Sequence, residues 1–178
     1  DVGLSDRSFA VQTTGNKRTE TAFTGTSSYV MSELRRHSAG AAYLGVSGAH
    51  VPDCLAMLQW YSEAASGDGV DVIRCGANDI TAQSRSVSEI VAAAYALFGA
   101  RRAQGRQLVI CGEPARWGVA AGTAMTAEQL ATLKAINAAY RDYADAHYSD
   151  TRYVDLWAIS ADPAYSDGRP VAGLLSDH

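Results

Sequence analysis

Residues 70–79 read VDVIRCGAND, an apolar run followed directly by glycine, asparagine and aspartate. A short apolar run bounded by turn residues predicts a buried β-strand, here over VDVIRC. Three further runs share this pattern: AAYLGV at 41–46, QLVICG at 107–112 and RYVDLW at 152–157. The sequence therefore predicts a sheet of at least four strands.

Helical periodicity fills the chain between these runs. One predicted helix follows Pro52, a second begins behind Ser84 or Ser86, and a third begins at a capping box made by Thr126 and Gln129. Strands that alternate with helices indicate an α/β fold with parallel strands and right-handed crossovers. Ligands of such folds gather at the carboxyl ends of the strands, where this chain has loops rich in glycine and small polar residues.

The first part of the chain admits two interpretations. Residues 1–24 form an N-terminal segment that is either a hairpin around Gly15-Asn16 or a first parallel strand over 19–24, which would feed a helix over 27–36. Residues 25–178 form the main domain. Because the chain starts with Asp1 and stops at His178 without a closing helix, both ends look cut and the domain is expected to be truncated at its C-terminus.

Composition excludes several classes of protein. The chain has 15 lysines and arginines against 19 aspartates and glutamates, a net charge of -4, and no basic run, so nucleic acid is not an expected partner. No apolar stretch approaches the roughly 20 residues of a membrane span, and no signal peptide is visible. A soluble protein is expected, while its compartment and oligomeric state stay open.

Metal and cofactor signatures are missing from the sequence. The three cysteines, Cys54, Cys75 and Cys111, are too widely spaced for a zinc motif and are expected to be buried and free. No glycine-rich phosphate loop and no metal-ligand spacing occurs. We therefore expect neither a cofactor nor a metal.

Two loops carry groups that can stabilise negative charge. Gly48 follows the strand at 41–46 and would let a backbone N–H approach a ligand closely, while Asn78 follows the next strand and offers a carboxamide donor. Two donors from different loops are what an oxyanion hole needs. A plain turn would explain either loop by itself.

At these positions the sequence resembles the SGNH hydrolases, also called GDSL-type esterases and lipases. LGVSGAHV is similar to the family's second block, with Gly48 as the oxyanion glycine, and GAND is similar to the third, with Asn78 as the oxyanion asparagine. The likeness covers about residues 25–178. It implies a flavodoxin-like three-layer α/β/α sandwich and hydrolysis of an ester by a serine nucleophile.

The fifth block of the family is Asp, two residues, then His, and Asp177 matches its aspartate. The histidine would then fall at position 180, beyond the end of this chain. His178 is the alternative base, although adjacent side chains of an extended segment point in opposite directions. We favour a base beyond the chain end and keep His178 as a candidate.

The nucleophile is less clear, because no Gly-Asp-Ser of the first block occurs. Ser27 in Gly25-Thr26-Ser27 matches best in position, since it precedes a predicted helix and the strand that leads to Gly48. Ser5, Ser8 and a serine upstream of residue 1 are the alternatives. The competing interpretation is that Ser27 is an ordinary N-cap.

Four other residues lie in the loops at the carboxyl ends of the predicted strands, where substrate contacts are possible. His50 either lines the substrate cleft or is an exposed loop histidine, and Trp117 offers an aromatic face that suits a sugar ring. Glu113 and Arg116 follow the strand at 107–112, and we expect a surface ion pair between them rather than substrate contacts.

The resemblance implies a serine esterase that removes a short acyl group, such as acetyl, from a small-molecule or carbohydrate ester. A lipase or thioesterase is also compatible with it. From a different class, the alternative is a non-catalytic binding or structural module of a larger assembly, in which Thr26 replaces the family's aspartate and the catalytic histidine is lost.

Overall fold

The computed structural model describes residues 49–62, 69–116 and 124–171. Its strands in these ranges are β1 (Gly69–Ile73), β2 (Arg106–Cys111) and β3 (Thr151–Val154). Its helices there are α1 (Val51–Ser62), α2 (Ala77–Ala82), α3 (Val87–Ala103), α4 (Ala127–Ala146) and α5 (Leu156–Ser160). Strands and helices thus alternate along the described chain.

The three strands form one parallel sheet in the order β1-β2-β3. Asp71 lies beside Leu108, and Leu108 lies beside Thr151. Parallel neighbours need a crossover connection, which α3 supplies between β1 and β2 and α4 supplies between β2 and β3. All three carboxyl ends therefore lie at one edge, and the predicted α/β class with a parallel sheet is confirmed.

The two faces of the sheet differ in burial because side chains alternate along a strand. Leu108 and Ile110 of β2 are fully buried on one face. Val70 and Val72 of β1 point to the opposite face and are 55% and 57% exposed. Of the described residues, those that build the core therefore lie on the Leu108 face.

The core forms where α3 and α4 pack on β2. Phe98 lies edge-on to both Tyr140 and Tyr143, with ring centroids 5.2 Å apart in each pair. The buried apolar side chains around them are Ile80, Ile90, Ala94, Leu97, Leu108, Ile110, Leu133 and Ile136. This packing fixes the sheet and thereby the loops at its carboxyl edge.

Both capping signals in the sequence are confirmed. The Ser86 side chain accepts the Glu89 N–H, and the Glu89 carboxylate accepts the Ser86 N–H. Thr126 and Gln129 make the same reciprocal pair at the start of α4. Each box satisfies two backbone donors that the first helical turn leaves without partners.

A buried carboxylate lies within β1, a segment that the sequence pattern treats as a plain apolar strand. Asp71 is only 5% exposed and accepts hydrogen bonds from Arg101 at the end of α3 and from Arg106 at the start of β2. Arg101 is itself 1% exposed. Paired charges of this kind tie α3 and β2 to β1.

The predicted strand RYVDLW is too long at its C-terminal end. The strand stops at Val154, and α5 begins at Leu156. Asp155 causes the change, because its carboxylate accepts the N–H of Ala158 at 3.0 Å and so caps the helix. Trp157 consequently lies in a helix and not in the sheet.

The loop expected after β1 contains a short helix, α2. Gly76 turns the chain with a φ of 127°, which residues with a side chain rarely adopt. The Ile80 N–H then donates to the Gly76 carbonyl at 3.0 Å, and Ile80 packs into the core. The predicted strand at 41–46, the N-terminal hairpin or strand, the helix over 27–36 and the domain boundary at residue 25 lie outside the described residues.

Candidate active site

Asn78 lies in the first turn of α2, at the carboxyl edge of β1. Its side chain is half-buried. Because α2 has only six residues, contacts from other loops must fix its place. Two such contacts are made by its immediate neighbours in the chain, Ala77 and Asp79. Together they hold the backbone on both sides of Asn78.

Asp79 ties α2 to the start of α1. Its carboxylate is almost fully buried and accepts the backbone N–H of Val51 at 2.9 Å. Gly48 is not among the described residues.

His50 also faces the Asp79 carboxylate. Its Nδ1 lies 3.2 Å from Asp79 Oδ1, although the angles are not those of a hydrogen bond. Arg85 approaches the same oxygen, with Nη1 at 3.6 Å. His50 keeps 23% of its side chain exposed, so it is neither a freely exposed loop histidine nor a core residue. Its predicted contact with substrate stays a prediction.

Arg116 anchors the other side of Asn78. Its Nη1 donates to the carbonyl of Ala77 at 2.9 Å, across a sequence separation of 39 residues. Its backbone N–H donates to the Gly168 carbonyl at 3.2 Å. Burial is the main influence on the pKa of Arg116, which it lowers. One residue therefore joins α2 to the segment that leads toward Asp177.

The expected surface ion pair between Glu113 and Arg116 is wrong. Glu113 is fully buried, and its carboxylate pairs with Arg74 at 3.2 Å. Asn137 of α4 holds its backbone from both sides, with Oδ1 accepting the Glu113 N–H at 2.7 Å and Nδ2 donating to its carbonyl at 2.9 Å. Burial by α4, which sequence spacing does not reveal, explains the difference.

Glu113 is a residue that sequence reasoning placed wrongly and that lies close to the site. A side chain at Gly76 would meet Glu113 Oε1 at 3.8 Å. Among the described residues this oxygen has no hydrogen-bond partner. A buried carboxylate thus lies directly beneath the turn that leads into α2.

Tyr140 supports the same turn from below. Its hydroxyl donates to the Cys75 carbonyl at 3.0 Å. Burial raises the pKa of Tyr140 well above its ordinary value and likewise raises the pKa of the Cys75 thiol. Both groups are therefore neutral, and their role here is to stabilise the turn. The three cysteines are free; Cys75 is buried as expected, whereas the expected burial is wrong for Cys54 and Cys111, which are half-buried.

The remaining predicted site residues lie outside the described ranges: Ser27, Gly48, Trp117, Asp177 and His178, with the alternatives Ser5 and Ser8. The structure does place the segment that precedes Asp177. Val171 donates to the Ser160 carbonyl at 2.9 Å, and Gly168 accepts from Arg116. Gly168 and Ala77 are thus joined through Arg116.

Two features are absent from the described ranges. No helix there is long and apolar enough to cross a membrane. Within the same part of the chain, no group of three or more His, Cys, Asp or Glu side chains is placed to hold a metal ion.

Solved structures resemble this chain at low sequence identity. AlinE4, an SGNH-hydrolase family esterase, is 18% identical with a TM-score of 0.57, over 79% of this chain and 71% of that one. A candidate acylhydrolase from Bacteroides fragilis is 17% identical with a TM-score of 0.58, over 80% and 71%. A candidate platelet activating factor from Streptococcus pneumonia is 19% identical with a TM-score of 0.59, over 81% and 71%.

No protein-family model matches the sequence, and no curated protein matches it either. At these identities the likeness shows the fold. The chain has the α/β flavodoxin-like fold that these proteins share, as the sequence predicts.

Proposed function

We propose that this chain, whose fold is that of SGNH-hydrolase esterases, is a serine ester hydrolase that removes a short acyl group, acetyl above all, from a carbohydrate. The observation that carries the proposal is the fixed position of Asn78. Loops from three parts of the chain meet around it, through the Asp79 bond to Val51 and the Arg116 bond to Ala77.

The chemistry follows from donors held before the reaction begins. The serine Oγ attacks the ester carbonyl carbon and its proton passes to a histidine, so that the carbonyl oxygen becomes negative. The Asn78 carboxamide and the Gly48 N–H donate to that oxygen. Donors that are already fixed need no reorganisation as the charge develops, which lowers the barrier.

Collapse of the tetrahedral intermediate breaks the bond to the alcohol oxygen, and the histidine returns the proton to this leaving group. Water then attacks the acyl-enzyme, with the histidine as base, and releases the acid and the serine. In the proposal Ser27 is the nucleophile, and Asp177 orients the histidine, for which His178 is the candidate in this chain.

The proposed acyl acceptor rests on the polar character of the edge. His50 contacts Asp79, the residue after Asn78, and the partly exposed Arg74 follows β1 at the same edge, so polar groups are available for a hydroxylated ring. Trp117, one residue further on, would supply the aromatic face that sugar rings favour. Hydrolysis of acetylated sugars against acetate esters of long-chain alcohols tests this part separately.

Substitution of Asn78 tests the proposal without depending on which serine attacks. Asn78→Ala removes a donor used mainly in the transition state, so kcat for a short aryl acetate should fall about 100 to 1,000-fold with little change in KM. Asn78→Asp keeps the size and replaces the donor with an acceptor, so it should lose at least as much.

The control is Thr126→Ala, which removes the cap of α4 and should lower stability by about 1 kcal/mol while kcat per folded molecule stays the same. Thermal melts of all variants set the folded fraction. Equal kcat in wild type and Asn78→Ala would show that the GAND segment is a structural turn without a catalytic role. The binding-module interpretation would then replace the esterase.

A further inference from the structure

We infer that Arg116 is a positioning residue for the proposed hydrolysis, because it fixes the peptide group that leads into Asn78 and thereby aims the Asn78 carboxamide. The inference rests on the proposed function. It adds a residue from a loop that carries none of the sequence blocks resembling the esterases, and it gives that residue a task that acts through Asn78.

Arg116 contacts the peptide bond between Ala77 and Asn78. Arg116 Nη1 donates at 2.9 Å to the carbonyl of Ala77, and this carbonyl belongs to the same planar peptide group as the nitrogen of Asn78. Thr81 Oγ1 donates to the same oxygen at 2.8 Å from within α2, and the Arg116 bond is the one that ties this peptide plane to another part of the chain. A hydrogen bond from a guanidinium is charge-assisted and about twice as strong as one between neutral groups.

Arg116 is itself fixed from a third part of the chain. Its N–H donates to the Gly168 carbonyl at 3.2 Å, and the neighbouring N–H of Ala115 donates to Ser160 Oγ at 2.8 Å. Ala115 is fully buried. The guanidinium therefore projects from backbone that the segment after β3 holds in place.

Asn78 is consequently held on both sides. The Arg116 bond precedes it, and the Asp79 bond to Val51 follows it. Since α2 is too short to be rigid by itself, these tertiary contacts supply the rigidity. A displacement of about 1 Å in a catalytic group can cost 100-fold in rate, so loss of one anchor should be measurable.

Replacement of Arg116 provides the first arm of the test. Arg116→Met keeps the apolar stem and removes the donor, and kcat for a short aryl acetate should fall about 10 to 100-fold while KM changes less than about 3-fold. Arg116→Lys retains a donor without the planar fork and should lose less than about 10-fold.

Arg102→Met is the matched control. Arg102 donates to both carboxylate oxygens of Asp150 at the opposite edge of the sheet, so the same substitution there also removes charge-assisted hydrogen bonds made by a guanidinium. Its kcat per folded molecule should stay within about 2-fold of wild type. A loss equal to that of Arg116→Met would mean a general effect on folding and would overturn the inference.

A double-mutant cycle with Asn78→Ala decides the route by which Arg116 acts. If Arg116 works through Asn78, Arg116→Met should cost less than about 2-fold in the Asn78→Ala background. Additive losses, or a loss confined to KM, would show that Arg116 contacts substrate directly and would overturn the positioning role. A wild-type protein carried through position 180 that shows no esterase activity would instead overturn the proposed function, and the Arg116 role with it.

Discussion

Asp79 shows how one buried carboxylate can organise a site. It accepts the Val51 N–H, and both His50 and Arg85 approach its other oxygen. Two cationic or potentially cationic groups thus face one negative charge. The carboxylate lies one residue after Asn78, so the charge that stabilises the fold also holds the proposed oxyanion donor.

Asp71 in β1 is a second buried carboxylate that organises its surroundings, and it leads to a prediction about stability. Asp71→Asn removes the buried negative charge with which Arg101 and Arg106 pair, so the free energy of unfolding should fall by about 3 to 5 kcal/mol. Urea denaturation measures it. The exposed Asp142→Asn should change stability by less than about 0.5 kcal/mol, and equal losses would refute the role given to Asp71.

At the scale of elements, the sequence predicts contacts between residues close in the chain but not contacts between distant residues. The capping box at Thr126 depends on residues three apart and was predicted correctly, and Ser86, one of the two cap candidates, proves to be the N-cap of α3. The Asp71 bond to Arg101 spans 30 residues and the Arg116 bond to Ala77 spans 39, and nothing in the local pattern announces either. Buried charges escape sequence reasoning because their partners come from other elements.

The junction of α3 and β3 yields a pH prediction. Arg102 donates to both oxygens of Asp150, and this hydrogen bonding lowers the pKa of the Asp150 carboxyl from its ordinary value of 3.8. A carboxyl whose pKa is lower in the folded state stabilises the fold above its unfolded pKa, and this stabilisation is lost as the pH falls through the folded value.

Asp150→Asn should therefore reduce stability at neutral pH, and the difference from wild type should shrink toward zero well below about pH 4. Urea melts from neutral to acidic pH follow this difference. Arg102→Gln should remove the same pH-dependent part. A difference that stays constant over the whole range would contradict the assigned cause.

At the scale of the whole molecule, the parallel sheet brings the carboxyl ends of β1, β2 and β3 to one edge. The α/β class, three of the strands and the start of each long helix could be predicted, because periodicity and caps are local properties. Two features could not be predicted. The helix within the GAND loop depends on the packing of Ile80 into the core, and the end of β3 depends on the Asp155 cap, which lies inside an apparent strand pattern. For the site, Asn78 could be proposed from sequence, whereas its anchors could not.

The central claim is that this chain carries a serine activated for attack on esters. Treating the folded protein, with its chain carried through position 180 so that the favoured histidine is present, with a fluorophosphonate probe and mapping the labelled peptides by mass spectrometry tests that claim, since the probe modifies an activated serine covalently. The account predicts one label per chain, on Ser27, and none after unfolding in urea. A folded protein with no labelled serine would contradict the hydrolase, and a label that persists in Ser27→Ala would contradict the assigned nucleophile.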